Sequence, residues 1–542
     1  MIIRCEDYGI LPGADCSEKL ERLFKDLKKT EEEKILLFIE GTYYFNSDFA
    51  KEIFCPITNT SGAKEYKNKD DIFKHKTLFL FENVKNLVLD GQGSTFIIDG
   101  KVTNMIFRNC ENVTVKNLRI AVKNPNLHKL TVINSHGRKV TYKMDNDSVS
   151  VSRNGKWQGK GYSLGYKEKC KIAGWTNSVL PDEANVNFRT THPLLGAFSV
   201  KEKKSGIIEA TYFKPKKCVI GQSFYIFDAH RTEVGVLIDR CKNINFDRYE
   251  QNFNYALGVV AQVSEDITIT NCRFAPAENG EMEMASLADL THFCMCKGKI
   301  TVKDSYFSGA GDDAINVHGI HFIVDKVKND EVTVSFRHPQ TWGFDPFDEG
   351  DEIEFIDRKT LRSVSNATII MTKMPDDYHI ILKLDKVPNK EVKGMAIENI
   401  TKCPGLVFQN NTIKNVATRG VLYTSRGKCI IKDNHFIACN MSGVCISDDA
   451  NNWFESGMCK DVLIENNIFD YCGETPILIK PEIKMYSGSV HSNIRIMNNT
   501  FKRYPGVCIS ALACDELTVK GNVIPDDKKS EIKQCRNVIT DF

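Results

Sequence analysis

The segment GKITVKDSYF, residues 298–307, alternates apolar and polar side chains and ends on an aromatic residue. Such alternation over a short stretch predicts a β-strand with one buried face. Segments with the same pattern recur along the chain as NVKNLVLDGQG (83–93), NCENVTVKNLRI (109–120), CKNINFDRYE (241–250) and SEDITITNCRF (264–274). Repetition of this kind predicts coils that stack on one another and bury a continuous core between them.

The C-terminal half repeats the pattern with an asparagine near the end of each coil. The repeated motifs are QNNTI, KDNHF, ENNIF, MNNTF and KGNVI, and they end at Ile413, Phe436, Phe469, Phe501 and Ile524. Their separations of 23, 33, 32 and 23 residues fit a plain coil or a coil with a protruding loop. We expect the asparagines to lie in the turns between sheets, where left-handed backbone and side-chain hydrogen bonds are needed. The predicted fold class is an all-β, right-handed parallel β-helix.

Two segments interrupt the repeat and predict antiparallel, β-barrel-like insertions. Residues 122–230 contain irregular strands and a glycine-rich stretch at 153–169, and residues 320–398 alternate strongly in FIVDKV, EVTVSF, DEIEFI and YHIILKL. The predicted organisation is an N-terminal cap with the first coils (1–121), an insertion (122–230), central coils (231–319), a second insertion (320–398) and C-terminal coils (399–542). Leu20, Leu23, Phe24 and Leu27 are spaced as on one helix face, which predicts a helix that caps the solenoid.

Composition excludes several classes of protein. Lys and Arg number 72 against 70 Asp and Glu, a net charge of +2, so no basic excess indicates a nucleic-acid partner. No apolar run is long enough to predict a membrane span. Arg4, Glu6 and Asp7 lie where a signal peptide needs an apolar core, so we expect either a cytoplasmic protein or an export signal outside this chain. The 19 cysteines include no pair of CxxC elements, and we expect them to fill the core rather than bind zinc.

Acidic residues lie on both sides of the segment GKITVKDSYF at 298–307. The stretch ASLADLTHFCMCKGKITVKDSYFSGAGDDAINVHG (285–319) contains Asp289, His292, Asp312, Asp313 and His318. If the coils stack, the residues around Asp289 and around Asp312 meet on one surface. The small residues that precede Asp312 permit a bend that turns both adjacent acids outward.

Carboxylates this close together indicate acid–base chemistry. Two neighbouring acids cannot both ionise easily, so the pKa of one rises towards the range that a catalyst at neutral pH needs. Two other interpretations remain for the acids: a pair that caps a turn, or a calcium site. The histidines could contact sugar hydroxyls, orient the acids or be structural. The chain contains no GxSxG, P-loop or HExxH motif, so serine hydrolase, nucleotide and zincin chemistry lack support.

Aromatic and charged residues farther along the chain suggest a sugar site, because a ring can stack on the apolar face of a sugar while acids accept its hydroxyl hydrogen bonds. The alternative is a turn between coils, with Trp453 packed against an insertion. The candidates from ISDDANNWFESG (446–457), ATRGVLYTSRGK (417–428) and RHPQTWGF (337–344) are Asp449, Trp453, Glu455, Arg419, Arg426 and Trp342.

Several segments together resemble glycoside hydrolase family 110, the exo-acting α-1,3-galactosidases. They are ADLTHF (288–293), GDDAINVHG (311–319), HPQTWGFDPF (338–347), GDEIEF (350–355), TRGVLYTSRGK (418–428), SDDANNWFESG (447–457) and DVLIENNIF (461–469). DYGI (7–10) and FIEGTYYF (38–45) resemble the start of pectate-lyase-like β-helices in general. Residues 121–230 match the family only loosely, so we assign no substrate contact to them.

This resemblance implies a β-helix with barrel insertions that releases terminal galactose with inversion, without a metal or other cofactor. By position, Asp289, Asp312 and Asp313 are the acidic cluster, and one of Asp312 and Asp313 is the general base. Asp289 is the expected general acid, with Glu349 of the second insertion as the alternative. Since the carboxyl groups of an inverting pair usually stand ~6.5–9.5 Å apart, adjacent acids are too close and a third is needed.

Two other functions are compatible with the pattern. A polygalacturonase or lyase for acidic polysaccharides would have a long groove lined by Lys and Arg. A non-catalytic carbohydrate-binding β-helix would need no clustered acids. The expected partner is a glycan with terminal α-galactose, either fucose-branched or linear, and exposed β-helix edges could also pair into a homo-oligomer.

Overall fold

The computed structural model describes most of the chain. The described residues are 1–27, 31–60, 72–123, 125, 127–144, 149–151, 157–159, 175–181, 186–194, 196–204, 206–227, 231–278, 280, 282–388, 391–473, 475–525 and 530–541. Much of the glycine-rich stretch at 153–169 therefore lies outside the described part. The predicted all-β parallel β-helix with insertions is confirmed, since three faces of stacked parallel strands run the length of the molecule.

Each coil contributes one strand, or part of a long strand, to each face. The first face contains Ile2–Arg4, Lys34–Leu37, Lys85–Asp99, Glu111–Val122, Lys242–Gln251, Glu265–Thr270, Lys297–Lys303, Gly405–Gln409, Cys429–Lys432, Val462–Glu465, His491–Met497, Cys514–Lys520 and Ile539–Thr540. The second continues the three long strands and adds Thr42–Asn46, Arg273–Phe274, Tyr306–Ser308, Thr412–Val416, His435–Cys439, Ile468–Asp470 and Thr500–Phe501.

The third face carries the residues of greatest functional interest. Its parallel strands are Lys74–Glu82, Thr103–Arg108, Val236–Asp239, Val259–Gln262, Thr291–Cys294, Ile315–Lys328, Arg419–Thr424, Ser442–Asp448, Ile477–Pro481, Ile509–Leu512 and Glu531–Lys533. Lys51–Phe54 pairs antiparallel with the first of them. Residues that begin equivalent strands therefore lie side by side although they are far apart in sequence.

The recurring asparagines form a buried ladder between the first and second faces. The Nδ2 group of Asn434 donates to the Oδ1 atom of Asn467 at 2.9 Å, and that of Asn467 donates to the Oδ1 atom of Asn499 at 3.0 Å. The residue before each rung has left-handed backbone, as at Asn466 and Asn498 with φ of 56°. Because each amide also satisfies main-chain groups of the neighbouring coils, the ladder supplies hydrogen bonds that the turns would otherwise lack. The structure thus places asparagines in these turns, with the hydrogen-bonding residue one position after the left-handed one.

Asn467→Ala is expected to destabilise the protein by about 2–4 kcal/mol, because it leaves the buried carbonyl of Ile431 and the amide of Asn434 without partners. Asn522→Ala is the matched control, since Asn522 ends the ladder and is only partly buried, so water can replace its bonds. Urea unfolding of both variants measures the difference. Equal losses of free energy would contradict a role for burial in the ladder.

The core between the faces is filled by aliphatic and aromatic residues at matching positions of successive coils. Phe436, Phe469 and Phe501 stack with ring centroids 5.0 and 5.2 Å apart. Cysteines at equivalent positions, such as Cys439 and Cys472, are also buried there and not disulfide-bonded. Packing at fixed register in every coil is what keeps the third face regular enough to position a site.

The predicted capping helix is present as Leu20–Leu27, preceded by the 3₁₀ turns Cys5–Tyr8 and Ser17–Lys19. Leu20, Leu23 and Leu27 are buried against the first coils. A third 3₁₀ turn is Ser47–Phe49. An amphipathic helix in this position covers apolar side chains at the N-terminal end of the solenoid. No helix in the described ranges has the length and apolar character needed to cross a membrane.

Two antiparallel structures interrupt the solenoid. A closed barrel of six strands combines the later part of Ile315–Lys328 with Glu331–Ser335, His379–Leu384, Arg362–Lys373, Glu352–Asp357 and Ala396–Asn399. The earlier insertion forms a seven-stranded sheet in the order Val186–Thr191, Trp175–Val179, Ser223–Phe227, Leu127–His136, Lys139–Met144, Ile207–Tyr212 and Ala197–Lys204. Val149–Val151 and Trp157–Gly159 pair separately, and Glu455–Ser456 pairs with the residues that lead into the barrel.

Candidate active site

The parallel register of the third face brings the acidic residues together. Thr291–Cys294 pairs with the start of Ile315–Lys328, so the loops before these strands are neighbours. The amide of Leu290 donates to the carbonyl of Asp313 at 3.0 Å. Gly311 lies against the backbone of the preceding coil, where a Cβ atom would come within 2.6 Å of the carbonyl carbon of Leu287. The loop therefore needs glycine there in order to carry Asp312 and Asp313 onto the same surface as Asp289.

The three carboxylates form one compact cluster. Asp289, Asp312 and Asp313 each offer an oxygen, and these oxygens all lie within 4.8 Å of one another. Asp289 and Asp313 are 4% and 1% exposed, whereas the side chain of Asp312 is 21% exposed. The structure thus brings together the acids that the sequence analysis singled out, and it buries two of them.

Asp313 is held by the next coil. Its Oδ1 atom accepts hydrogen bonds from the amide and the Nε group of Arg419 at 3.0 and 2.8 Å, and from the hydroxyl of Thr418. The same hydroxyl lies 3.0 Å from Oδ1 of Asp312. One oxygen of Asp313 is thereby fully bonded, which fixes the carboxylate plane and leaves Oδ2 for other contacts.

Burial governs the protonation of the cluster. It raises the pKa of Asp289 to about 8, and the negative charge of Asp312 raises it further. Burial also raises the pKa of Asp313 to about 7, against the opposing effect of the Arg419 guanidinium. Both acids therefore titrate near neutral pH, in the range that general acids and bases use.

A chain of two histidines leads away from Asp289. The Oδ2 atom of Asp289 lies 2.8 Å from Nδ1 of His292, and Nε2 of His292 lies 3.0 Å from Nε2 of His318. Nδ1 of His318 lies 2.7 Å from the carbonyl oxygen of Gly319. Both rings are buried, and burial lowers the pKa of His292 to about 3 and of His318 to about 4. Of the predicted roles for these histidines, this arrangement fits orientation of an acid.

The cluster opens into a pocket of about 290 Å³, just below the ~300–1,000 Å³ usual for small-molecule sites. Its walls come from the solenoid, both insertions and the loop after Ser442–Asp448. The lining residues include Asn59, Arg189, Arg231, Leu257, Asn316, Gln340, Thr418, Arg419, Trp453 and Glu455. A space of this size suits one sugar ring rather than a polymer.

Trp453 and Glu455 reach this pocket from the loop that the sequence analysis singled out. The Trp453 side chain is 48% exposed at the pocket and lies against the ring of His338, with centroids 5.0 Å apart. The Oε1 atom of Glu455 accepts a hydrogen bond of 3.3 Å from Nδ2 of Asn316 and lies 3.9 Å from Nε2 of His318. Burial raises the pKa of Glu455. An exposed ring beside buried acids is the combination expected of a sugar site.

Besides His292 and His318, four other predicted substrate contacts lie outside the pocket lining. Trp342 is buried in the barrel, where its ring stacks on Tyr378 at 4.5 Å and its Nε1 group donates to the carbonyl of Pro339. Glu349 lies exposed on a turn of the barrel. Neither residue is among those that line the pocket beside the three acids, so neither is carried forward as a sugar contact or as the acid.

Arg426 and Asp449 have structural partners instead. The side chain of Arg426 is 8% exposed and pairs with Glu354 at 2.8 Å and with Glu398, which ties the barrel to the solenoid. Asp449 accepts a 2.8 Å hydrogen bond from the amide of Trp453 and also bonds the two preceding amides of that loop. Asp449 thus shapes the loop that presents Trp453, without lining the pocket itself.

Several pocket residues were missed in the sequence analysis. The Nη2 group of Arg231 donates to the Oε1 atom of Gln340 at 3.5 Å, and both residues line the pocket. Arg189 reaches the pocket from the first insertion, to which no contact had been assigned. Isolated arginines in irregular segments carry no pattern that marks them as ligands. Thr418 adjoins the predicted Arg419, and only the stacking of coils shows that its hydroxyl bonds two acids.

The three acids are also the set of groups that could hold a cation, since carboxylate oxygens suit calcium or magnesium. The surroundings oppose this use. The Arg419 guanidinium lies 2.8 Å from Asp313 and 3.8 Å from Asp312, where it would repel a cation. Because burial also raises the pKa of Asp289 and Asp313, protonation competes with metal binding there. The cluster fits acid–base chemistry better than metal binding.

Two family models match the chain. One, described as GLAA-B beta-barrel domain II, covers residues 331–395 and coincides with the six-stranded barrel. The other, described as a right handed beta helix region, covers residues 394–541. The second description gives the solenoid the right-handed sense that the sequence predicted, and the first matches the second insertion.

Relatives match nearly the whole chain. Over 92% of its length it is 31% identical to alpha-1,3-galactosidase A of Bacteroides thetaiotaomicron, with 88% of that protein covered. It is 30% identical to alpha-1,3-galactosidase A of Akkermansia muciniphila over 83% of this chain and 76% of that protein. It is 28% identical to alpha-1,3-galactosidase B of Bacteroides fragilis over 91% and 85%, respectively. The matches therefore span most of the chain, and they include proteins named both alpha-1,3-galactosidase A and alpha-1,3-galactosidase B.

Proposed function

Because the chain belongs to glycoside hydrolase family 110, the family of these α-1,3-galactosidases, we propose that it is an exo-acting, inverting α-galactosidase that releases terminal α-1,3-linked galactose from glycans. The observation that carries the proposal is the cluster of Asp289, Asp312 and Asp313 at the base of a pocket that accommodates one sugar ring. A pocket rather than a groove suits cleavage at a chain end.

We assign different catalytic roles to the acids because their surroundings differ. Asp289, whose pKa burial raises to about 8, is the proposed general acid that protonates the departing glycosidic oxygen. Asp313, whose Oδ1 is occupied by Arg419 and Thr418, is the general base that takes a proton from water through Oδ2. The charge of the more exposed Asp312 raises the pKa of Asp313 and helps to hold that water.

The stereochemical outcome depends on where the water stands. Inverting enzymes usually separate their carboxyl groups by ~6.5–9.5 Å, whereas the nearest oxygens of this cluster lie within 4.8 Å of one another. The distance between nearest oxygens is shorter than that between whole carboxyl groups. The proposed water enters from the pocket side beside Oδ2 of Asp313, with Arg419 holding the base in place.

Trp453 is the proposed platform for the apolar face of galactose, with Asn316, Glu455 and Arg231 as hydrogen-bonding partners for its hydroxyls. The Oδ1 atom of Asn316 is buried at the pocket and has no hydrogen-bond partner within the described structure, so it is free to accept from a sugar. Burying these groups against a sugar selects for hydroxyls in matching positions, because an unpaired buried polar atom costs free energy.

Trp453→Ala is expected to raise KM about 10-fold, which corresponds to ~1.4 kcal/mol of lost binding, with a smaller change in kcat. The ring contributes apolar contact to bound sugar and takes no part in proton transfer. Steady-state kinetics on an α-1,3-galactoside measures both constants, and Trp342→Phe, in the barrel core, serves as a control for altered aromatic packing. A fall in kcat at unchanged KM would contradict the platform role.

The activity is expected to follow a bell-shaped pH profile with its maximum between about pH 7 and 8. Because burial raises the pKa of Asp313 to about 7, kcat/KM rises as this base loses its proton above that pH. Since the pKa of Asp289 is raised to about 8, kcat/KM falls as this acid loses its proton above pH 8. A profile that is flat between pH 5 and 9 would contradict these roles.

The proposed function is tested by incubating the protein with linear and fucose-branched α-1,3-galactosides and following galactose release by NMR. Initial β-galactose would establish both the activity and inversion, and the two rates would give the branch preference. Initial α-galactose would overturn inversion. Loss of viscosity from a pectic polymer without galactose release would favour a polysaccharide hydrolase or lyase, and sugar binding without any product would favour a binding protein.

A further inference from the structure

Five large apolar side chains of the first insertion are exposed to water. Phe213 is 76% exposed, and Phe198, Ile133, Val219 and Ile220 are each at least 42% exposed. The rings of Phe198 and Phe213 lie against each other, with centroids 5.0 Å apart. Single exposed apolar residues are ordinary on a protein surface, whereas a group of them marks a contact surface.

Backbone hydrogen bonds bring these side chains to one end of the insertion. The segment 213–220 runs beside the hairpin turn that follows Ile133. The amide of Lys216 donates to the carbonyl of Gly137 at 3.1 Å, and the amide of Cys218 donates to the hydroxyl of Ser135 at 3.2 Å. We call this end of the insertion the insertion tip, and it consists of residues 133–139, 198 and 213–220.

The insertion tip is also strongly basic. Its sequence contains no Asp or Glu, and its basic residues are Arg138, Lys139, Lys214, Lys216 and Lys217. The whole chain, by contrast, has a net charge of only +2. Positive charge is therefore concentrated beside the exposed apolar side chains, and such a patch attracts an anionic partner.

Two of these lysines also hold the tip in place. The Nζ group of Lys216 lies 4.5 Å from the centre of the Tyr212 ring and donates to the carbonyl of Pro193 at 3.3 Å. Lys139 pairs with Glu209, which lies outside the tip, at 3.4 Å. The other three basic side chains of the tip are exposed to solvent, where they can meet an anionic partner.

We propose that the insertion tip docks the protein on a membrane surface that contains anionic phospholipids. The apolar side chains enter the headgroup layer, while Arg138, Lys214 and Lys217 face the lipid phosphates. The proposal does not depend on the proposed galactosidase activity, because no residue of the tip lines the pocket of the three acids.

The combination of charge and apolar exposure favours a lipid surface over other partners. A second copy of the chain would bring like charges together if it docked tip to tip. An acidic polysaccharide would pair with the cations, but it would leave Val219 and Ile220 in water. An anionic bilayer satisfies both features, since the aliphatic and aromatic side chains leave water while the flexible lysines reach the phosphates.

Docking is tested by co-sedimentation of the whole protein with lipid vesicles at ~0.1 M salt. The vesicles consist of phosphatidylcholine alone or of phosphatidylcholine with about one third phosphatidylserine. We expect binding to the anionic vesicles to be about 10-fold tighter or more, and to be mostly lost at ~1 M salt, where charges are screened. Equal binding to both kinds of vesicle, or binding to neither, would overturn the proposal.

Charge reversal identifies the surface that docks. The double variant Lys214→Glu/Lys217→Glu should bind anionic vesicles about 10-fold more weakly or worse, with an unchanged Tm and unchanged galactose release from a soluble substrate. The control Lys502→Glu/Lys520→Glu makes the same change in net charge at exposed positions of the C-terminal coils, and its binding should change less than about 2-fold. Equal losses in the two double variants would overturn docking through the tip.

Phe213→Trp tests whether the apolar side chains enter the lipid. Its fluorescence, after subtraction of the signal from the four native tryptophans, should shift to shorter wavelength when anionic vesicles are added. An unshifted emission at saturating lipid would overturn insertion of the tip. Dextran sulfate is the soluble comparison, and tight binding of this polymer without binding of anionic vesicles would assign the tip to acidic glycans and overturn the proposal.

Discussion

Asp313→Asn is expected to lower kcat by about 10²–10⁴-fold on linear and branched α-1,3-galactosides alike, because the neutral amide cannot take a proton from water. Asn keeps the size of the side chain and still offers an oxygen to Arg419 and Thr418. The fold should therefore survive, since a buried neutral group costs no more than the buried acid. Single-turnover rates and the Tm of the variant measure the two effects separately.

Asp312→Asn is the matched control for the base. Removal of its charge should lower the pKa of Asp313 and shift the acid limb of kcat/KM below pH 7, with a smaller loss of kcat. If Asp312→Asn loses more activity than Asp313→Asn, the base is Asp312. Near-normal turnover by Asp313→Asn would remove the proposed mechanism altogether.

Asp289→Asn is expected to lose activity in a way that depends on the leaving group. A sugar alkoxide departs only with a proton, so kcat on an α-1,3-galactoside should fall about 10²–10⁴-fold. An activated aryl α-galactoside, whose phenol departs as a stable anion, should lose less than about 10-fold. Comparison of the two substrates by initial rates identifies the acid.

The base variant provides the contrast for this experiment. Asp313→Asn removes the group that activates water and should lose activity on both substrates to the same extent. If Asp289→Asn also loses both activities equally, Asp289 is not the general acid. Loss by Asp289→Asn of the alkaline limb between pH 7 and 9 would support the same assignment from an independent measurement.

The family prediction is confirmed by relatives at 26–31% identity over most of the chain. It depended on segments that keep their order from ADLTHF at 288–293 to DVLIENNIF at 461–469, and such an ordered set is more specific than any single motif.

Residue type misled the sequence analysis at Trp342 and Arg426. An aromatic ring and an arginine have the chemistry of sugar contacts, yet Trp342 packs inside the barrel and Arg426 joins Glu354 and Glu398. Composition identifies what a side chain could bind, whereas burial decides what it does bind.

The sequence by itself determined the coil, the asparagine turns and the existence of an acidic cluster, because alternation and repetition are local properties that each segment carries. Only the tertiary structure decided which groups meet. Stacking places Thr418 and Arg419 on Asp313 from about a hundred residues away, and brings His318 to His292 with the Gly319 carbonyl behind it. Protonation of the acids depends on that placement, since pKa values follow burial and neighbouring charge in space and have no signature along the chain.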